Sequence, residues 1–165
     1  MKQFRVENKG NECVIHISGT INENSDFSQL RLEGSKLIYL DLSEVKNLNS
    51  MGLRNWVMWI KQLKVKSQMV FRNCPRTVVD QMNILQGFLP MGAIVESFFV
   101  PYACPACGKE ESYLAVRGKD YMEGSVDTKE GSSLPENGVC KSCGAKTEID
   151  IIPSKYFNFL KYRRI

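Results

Sequence analysis

Two cysteine pairs constrain this chain more than any other feature. They read Cys104-Pro-Ala-Cys107-Gly and Cys140-Lys-Ser-Cys143-Gly. A two-residue gap lets one tight turn aim both sulfurs at a single cation. The glycine after the second cysteine lets the chain turn away at positive φ. Two such knuckles supply four thiolates, the usual tetrahedral set for a structural Zn2+ ion. Four thiolates leave no position for water or substrate, so the metal is expected to brace the fold and not to catalyse. The surroundings agree. From Pro101 to Pro153 the chain is rich in glycine, serine and charge, with too few apolar residues for a core of its own. Cys13 and Cys74 lie in or beside apolar runs and read as buried, inert thiols.

The segment from 102 to about 150 is similar to a zinc ribbon. The 32 residues between the knuckles exceed the commonest spacing, but Gly118, Gly124 and Gly131 mark turns within them. Zinc ribbons often bind nucleic acid, and charge weighs against that here. Residues 101–154 hold 6 Lys/Arg against 9 Asp/Glu. Four thiolates and one Zn2+ add about −2 more, and a negative surface repels phosphates. The basic end is 155–165, with Lys155, Lys161, Arg163 and Arg164 and no acid. Tyr156, Phe157, Phe159, Leu160 and Tyr162 make it too apolar for a solvated arm. It is expected to dock on a core, cations outward.

Residues 1–100 follow a different pattern. Residues 3–6 and 13–19 read as a hairpin, the second strand with period-two alternation. Residues 25–33 look weakly helical, with Gly34 as a stop. The apolar run 36–42 suits a strand covered on both faces. From Ser50, Leu53, Trp56, Val57, Ile60 and Leu63 fall at helical spacing. Residues 67–73 read as a strand, a helix starts at Pro75, and 93–100 read as a last strand. Alternating strands and helices predict an α/β fold, a mixed sheet with helices packed on it. The expected division is 1–100 as this α/β domain, 101–153 as the zinc ribbon and 154–165 as the docking segment.

The stretch YLDLSEVKNLNSMGL carries a resemblance. It looks like the central segment of STAS domains, the anti-sigma-factor antagonists. Their pattern is a strand ending Asp-Leu-Ser, a valine two residues on, then Asp-Ser-Ser/Ala-Gly-Leu opening a helix. Asp41-Leu42-Ser43, Val45, Ser50, Gly52 and Leu53 match it. SGTINENS, residues 18–25, resembles the family's Gly-Glu-Leu-Asp turn, and the element order fits. The resemblance implies a STAS-like fold over 1–100. It also implies a non-enzymatic regulator that docks a protein partner, an anti-sigma-factor kinase or a related regulator, and is switched by phosphorylation of Ser50. Two positions depart from the pattern. Asn49 stands where the family has aspartate, removing a charge beside the acceptor. Met51 stands where the family has a small residue, adding a flexible apolar group for a partner to contact. Asn49, Ser50, Met51 and Gly52 are therefore the candidate phosphorylation and docking residues. Serine and asparagine are also preferred helix caps whatever the function.

No glycine-rich phosphate loop or nucleophile elbow is present in the sequence, and His16 is the single histidine. An enzyme is therefore not expected. The alternative is a nucleic-acid- or nucleotide-binding zinc-ribbon protein. Asp41 and Glu44, at a strand end, keep a small-molecule pocket open. No run approaches the ~18 apolar residues of a membrane span. The opening MKQFRVENKG lacks an apolar h-region, so a cytoplasmic chain is expected.

Overall fold

The computed structural model describes residues 2–32, 34–63, 67–124 and 134–161. Alternation sets the first pairing. Strands β1 (Phe4–Lys9) and β2 (Glu12–Ile21) form an antiparallel hairpin. It turns at Gly10, where φ is +62°. Strands β3 (Leu37–Leu48), β4 (Gln68–Arg72) and β5 (Ile94–Val95) add in parallel, giving a sheet of order β1-β2-β3-β4-β5. Parallel neighbours need crossover connections. Helices α1 (Ser50–Gln62) and α2 (Arg76–Ile84) lie in two of them.

A second, antiparallel sheet holds β6 (Ser97–Ala103), β7 (Glu110–Val116), β8 (Asn137–Val139) and β9 (Lys146–Ile149), in the order β7-β6-β9-β8. The chain continues into two single-turn helices, α3 (Pro153–Tyr156) and α4 (Asn158–Lys161). The architecture is mixed α/β, with a four-cysteine group that fits a small zinc module. Among the described residues no helix is long and apolar enough to cross a membrane.

Three elements differ from their sequence expectation. The weak helix over 25–33 is one 3-10 turn, Phe27–Gln29. Asp26 accepts the Ser28 N–H at 3.0 Å, and such local side-chain bonds compete with a helix. Phe27, Leu30 and Leu32 are buried, so the segment covers the core without being helical. Glu33 lies outside the described residues. The strand expected at 36–42 runs on to Leu48, because bulged β2 keeps pairing it as far as Ile21↔Leu48. The strand expected at 93–100 is split. Val95 pairs with Phe71 in the first sheet, whereas Ser97 pairs with Val116 in the second. Asn73 anchors the crossing in the left-handed region, φ +53°. Its N–H donates to Ser97 Oγ at 2.8 Å. One strand, Ser97–Ala103, thus spans the expected division at residues 100/101 and leads from the core into the first knuckle.

The core is aromatic. Trp56 stacks on Phe88 at 5.0 Å between ring centroids, and its indole N–H donates to the Phe88 carbonyl at 2.9 Å. Phe27 stacks on Trp59 at 5.1 Å. Phe98 from the second sheet lies 5.3 Å from Phe159 and 4.9 Å from Tyr121. Tyr156, Phe157, Phe159 and Leu160 are buried. Asn83 of α2 ties this segment down, donating to the Tyr156 carbonyl at 2.8 Å and accepting the Phe159 N–H at 2.8 Å. Tyr156 Oη donates to the Phe99 carbonyl at 2.6 Å. Tyr162, Arg163 and Arg164 lie outside the described residues.

Candidate metal centre and docking surface

The sheet order brings the knuckles together. The first knuckle is the tip of the β6–β7 hairpin and the second is the tip of the β8–β9 hairpin. β6 and β9 are neighbours, in register at Tyr102↔Ile149, so the two tips meet. Each tip closes in the same way. Cys104 N–H donates to Lys109 O and Gly108 N–H to Cys104 O, at 2.9 and 2.8 Å. Cys140 N–H donates to Ala145 O and Gly144 N–H to Cys140 O, at 2.8 and 2.9 Å. Gly108 and Gly144 sit at φ +72° and +74°, the positive values the CxxCG reading requires.

The sulfurs of Cys104, Cys107, Cys140 and Cys143 all lie within 4.8 Å of one another. Cys104–Cys143 and Cys107–Cys140 approach to 3.5 and 3.6 Å. These distances are far beyond the ~2.05 Å of a disulfide. They are close to the ~3.8 Å edge of a tetrahedron with ~2.3 Å metal–sulfur bonds. The four cysteines can hold a metal ion. The Cys107 N–H, with help from the neighbouring thiol Cys143, brings the Cys104 thiol down to about 7. The Ala145 N–H acts the same way on Cys143, but Cys104, Cys107 and Cys140 outweigh it and push that thiol up to about 12. Metal-free, Cys104 gives up its proton readily, whereas the thiols of Cys107 and Cys143 are held above their ordinary value, because adjacent thiolates repel. A cation removes that repulsion.

The start of α1 is built around Asn49 and Gly52. Asn49 is the N-cap, its Oδ1 accepting the Gly52 N–H at 2.8 Å. Its Nδ2 donates to Glu23 Oε2 at 2.9 Å, which holds the Glu23 carboxyl below its usual range. Gly52 is buried against β2. A Cβ there would lie 2.2 Å from Ile21 O and 2.6 Å from Asn22 N. Ser50 is the first residue of the helix rather than its cap, and it is exposed. Met51 beside it is 49 % exposed. The second sheet leaves this turn uncovered.

No protein-family model matches the chain, and no curated protein matches it. The functional reading therefore rests on the geometry.

Asp41 and His16 sit away from the α1 turn, on neighbouring strands. His16 lies between two carboxylates, Nδ1 at 3.4 Å from Asp41 and Nε2 at 3.4 Å from Glu7. Burial pushes the Asp41 carboxyl up. The Ser43 N–H at 3.1 Å, the Asn73 amide at 3.3 Å and His16 outweigh it and hold the group below its usual range. Asp41, in the middle of β3, thereby ties that strand to His16 of β2 and to Asn73 just past the end of β4. Glu44, in contrast, lines a shallow concavity of about 550 Å3 with Gln3, Asn22 and Lys46.

Sequence reasoning missed Glu23 as the partner of Asn49, Asn83 as the anchor of the C-terminal segment, and Met58 as an exposed residue of α1. The first two pairings join residues 26 and 73 positions apart and leave no periodic signal. Met58 was readable, since it lies seven residues from Met51 and so on the same helix face.

Proposed function

We propose that this protein is a STAS-like regulatory docking module, non-enzymatic, whose cysteine cluster holds a structural Zn2+ ion. Its recognition surface is the first turn of α1, and phosphorylation of Ser50 switches it. One observation carries the reading. Asn49 takes over the capping bond to Gly52, so Ser50 and Met51 stay exposed at a fixed helix start. A serine used as the cap would have its hydroxyl occupied.

The electrostatics suit a switch. A phosphate adds about −1.5 to −2 charge. At Ser50 it would stand at a helix N-terminus, which favours anions, but also beside the Glu23–Asn49 pair. Arg54, one turn on, is within i,i+4 reach. The modification therefore redraws charge and hydrogen bonding on the surface a partner must match. Met51 and Met58 supply adaptable apolar contacts on that face, the kind protein interfaces favour. Burial of Tyr156, Phe157 and Phe159 supports a protein partner over nucleic acid, because aromatics in the core are not free to stack on bases. The zinc ion needs no role in recognition. Cys104, Cys107, Cys140 and Cys143 would hold it, and it would supply a cross-link between two hairpin tips.

The test is affinity capture from the source cell with four baits: wild type, Ser50→Ala, Ser50→Asp and Met51→Asp. One protein is expected to bind wild type and Ser50→Ala. It should be lost with Ser50→Asp and weakened about tenfold or more with Met51→Asp. Phosphate on Ser50 of the native protein should be found by mass spectrometry. A partner set identical across all four baits refutes the docking surface.

A further inference from the structure

Helix α1 keeps one face out of the core along its whole length. Gly52, Trp56, Trp59 and Ile60 are buried. On the opposite face Met51 and Met58 are 49 % and 47 % exposed, and Arg54 and Lys61 are exposed beside them. These four positions are three, four and three residues apart, the a-d-a-d spacing of a coiled-coil seam. At the helical rise they form a line about 15 Å long, along which methionine and cation alternate. Arg54 and Lys61 have no ion pair among the described residues. The charge is one-sided well beyond the helix. Residues 45–79 hold seven Lys/Arg and no Asp/Glu, so all 18 acids of the chain lie outside that stretch. Glu23 reaches the helix start from the loop after β2, and there the Asn49 amide takes up its carboxylate at 2.9 Å.

Resting on the assignment of the α1 start as the docking surface, we infer that the whole outward seam of α1 receives an acidic amphipathic helix of a partner protein. Asp or Glu of that helix stands opposite Arg54 and Lys61, and its apolar side chains stand opposite Met51 and Met58. Charge and shape select this occupant. A helix laid along the seam meets the same a and d levels turn by turn, and unbranched methionines adapt to whatever apolar groups it brings. A second copy of α1 would set cation against cation with no acid to answer them. Nucleic acid would use the cations and gain nothing from the methionines, while Trp56 and Trp59, the rings of α1 that could stack on bases, are buried. A lipid surface takes up a helix through its apolar face, and that face of α1 is in the core. Ser50 precedes Met51 and so takes the flanking g position, from which charges reach across a coiled coil. A phosphate there stands against the partner's acids. The sign of the switch follows: modification releases the partner.

The probe is the protein that wild type captures and Met51→Asp does not. Its dissociation constant is measured by isothermal titration against the full metal-loaded chain at low and high salt. Arg54→Glu, Lys61→Glu and Met58→Asp should each raise it about tenfold or more, and wild-type affinity should fall as salt rises. Photo-cross-linking from position 58 should map to an acidic helical segment of the partner. Replacing the facing acids of that segment by lysine should restore binding to the double variant Arg54→Glu with Lys61→Glu to within a few-fold. The substituted side chains are exposed and free of ion pairs, so thermal midpoints should stay close to wild type, and a variant that unfolds is replaced by the others. A partner that depends on Met51 but is indifferent to both charge reversals and to salt overturns the inference and leaves the docking surface standing. If no captured protein depends on Met51, both fall. Binding of a short single-stranded RNA, or of vesicles containing phosphatidylserine, that the same two reversals abolish while no protein is captured also overturns it.

Discussion

Replacing Gly52 by alanine separates two influences of opposite sign. Within a helix, alanine is favoured over glycine by about 1 kcal/mol. Gly52 is in the first turn of α1 and its φ is not positive, so local backbone conformation gives no reason to keep glycine. The tertiary contact does. The added Cβ would lie 2.2 Å from Ile21 O, 2.4 Å from Ile21 C and 2.6 Å from Asn22 N. All three are backbone atoms, so no side chain can swing aside. To approach the ~3.5 Å contact distance of carbon atoms, the start of α1 must retreat by about 1 Å. The retreat strains the Asn49 cap and the seat of Trp56, whose indole bond to Phe88 is 2.9 Å long. Overpacking of this kind costs about 1–3 kcal/mol and occasionally more. With three backbone overlaps we take the top of that range, and subtracting the helix preference leaves about 2 kcal/mol net. For a chain of this size that lowers Tm by about 4–8 °C. The assay is thermal and urea unfolding of Gly52→Ala beside Ser50→Ala, whose exposed side chain should change stability by no more than about 0.5 kcal/mol. If Gly52→Ala is as stable as wild type or more so, the close packing of α1 on β2 is wrong, and with it the fixed presentation of Ser50.

Three further outcomes follow from the geometry. Asn83→Ala removes the donor to Tyr156 O and the acceptor for Phe159 N, two bonds worth about 1 kcal/mol each. Unfolding should register about 2 kcal/mol of lost stability, and hydrogen exchange should rise first over 153–161. Removing the metal with a chelator under reducing conditions should release one zinc ion per chain and loosen β8, β9 and the tip of β6, while the α1 core persists. A thiol reagent should then modify the four knuckle cysteines before it reaches Cys13 and Cys74, which are buried in the core and become accessible only on unfolding. Asp41 has a lowered pKa in the folded chain, so its ionised form stabilises the fold. That contribution is complete above the unfolded value of about 3.9 and is lost as pH falls through the lower folded value. Urea midpoints of wild type should drop on acidification below about pH 4, and Asp41→Asn should flatten that acid limb. An unaltered acid limb would remove Asp41 from the account.

Wherever chemistry or period is local, the sequence could be read directly. The CxxCG spacing named all four thiols, because the turn geometry of a knuckle is contained in five residues. Period two named β2, and helical spacing named the buried side of α1. Tertiary structure decided where local signals were silent or tied. Whether Ser50 or Asn49 caps α1 was open from sequence, as both residue types cap well. The approach of α1 to Ile21 and the amide bond to Glu23 select Asn49 and free Ser50. The run 93–100 reads as one strand because six of its eight residues are apolar. The fold breaks it after Val95, since Phe71 offers Val95 a partner in one sheet and Val116 offers Ser97 one in the other. Likewise the 32 residues between the knuckles say nothing about how the thiols meet. They meet because β6 and β9 are neighbours, and pairing between strands distant in sequence depends on the whole core that forms around them, which no window of residues contains.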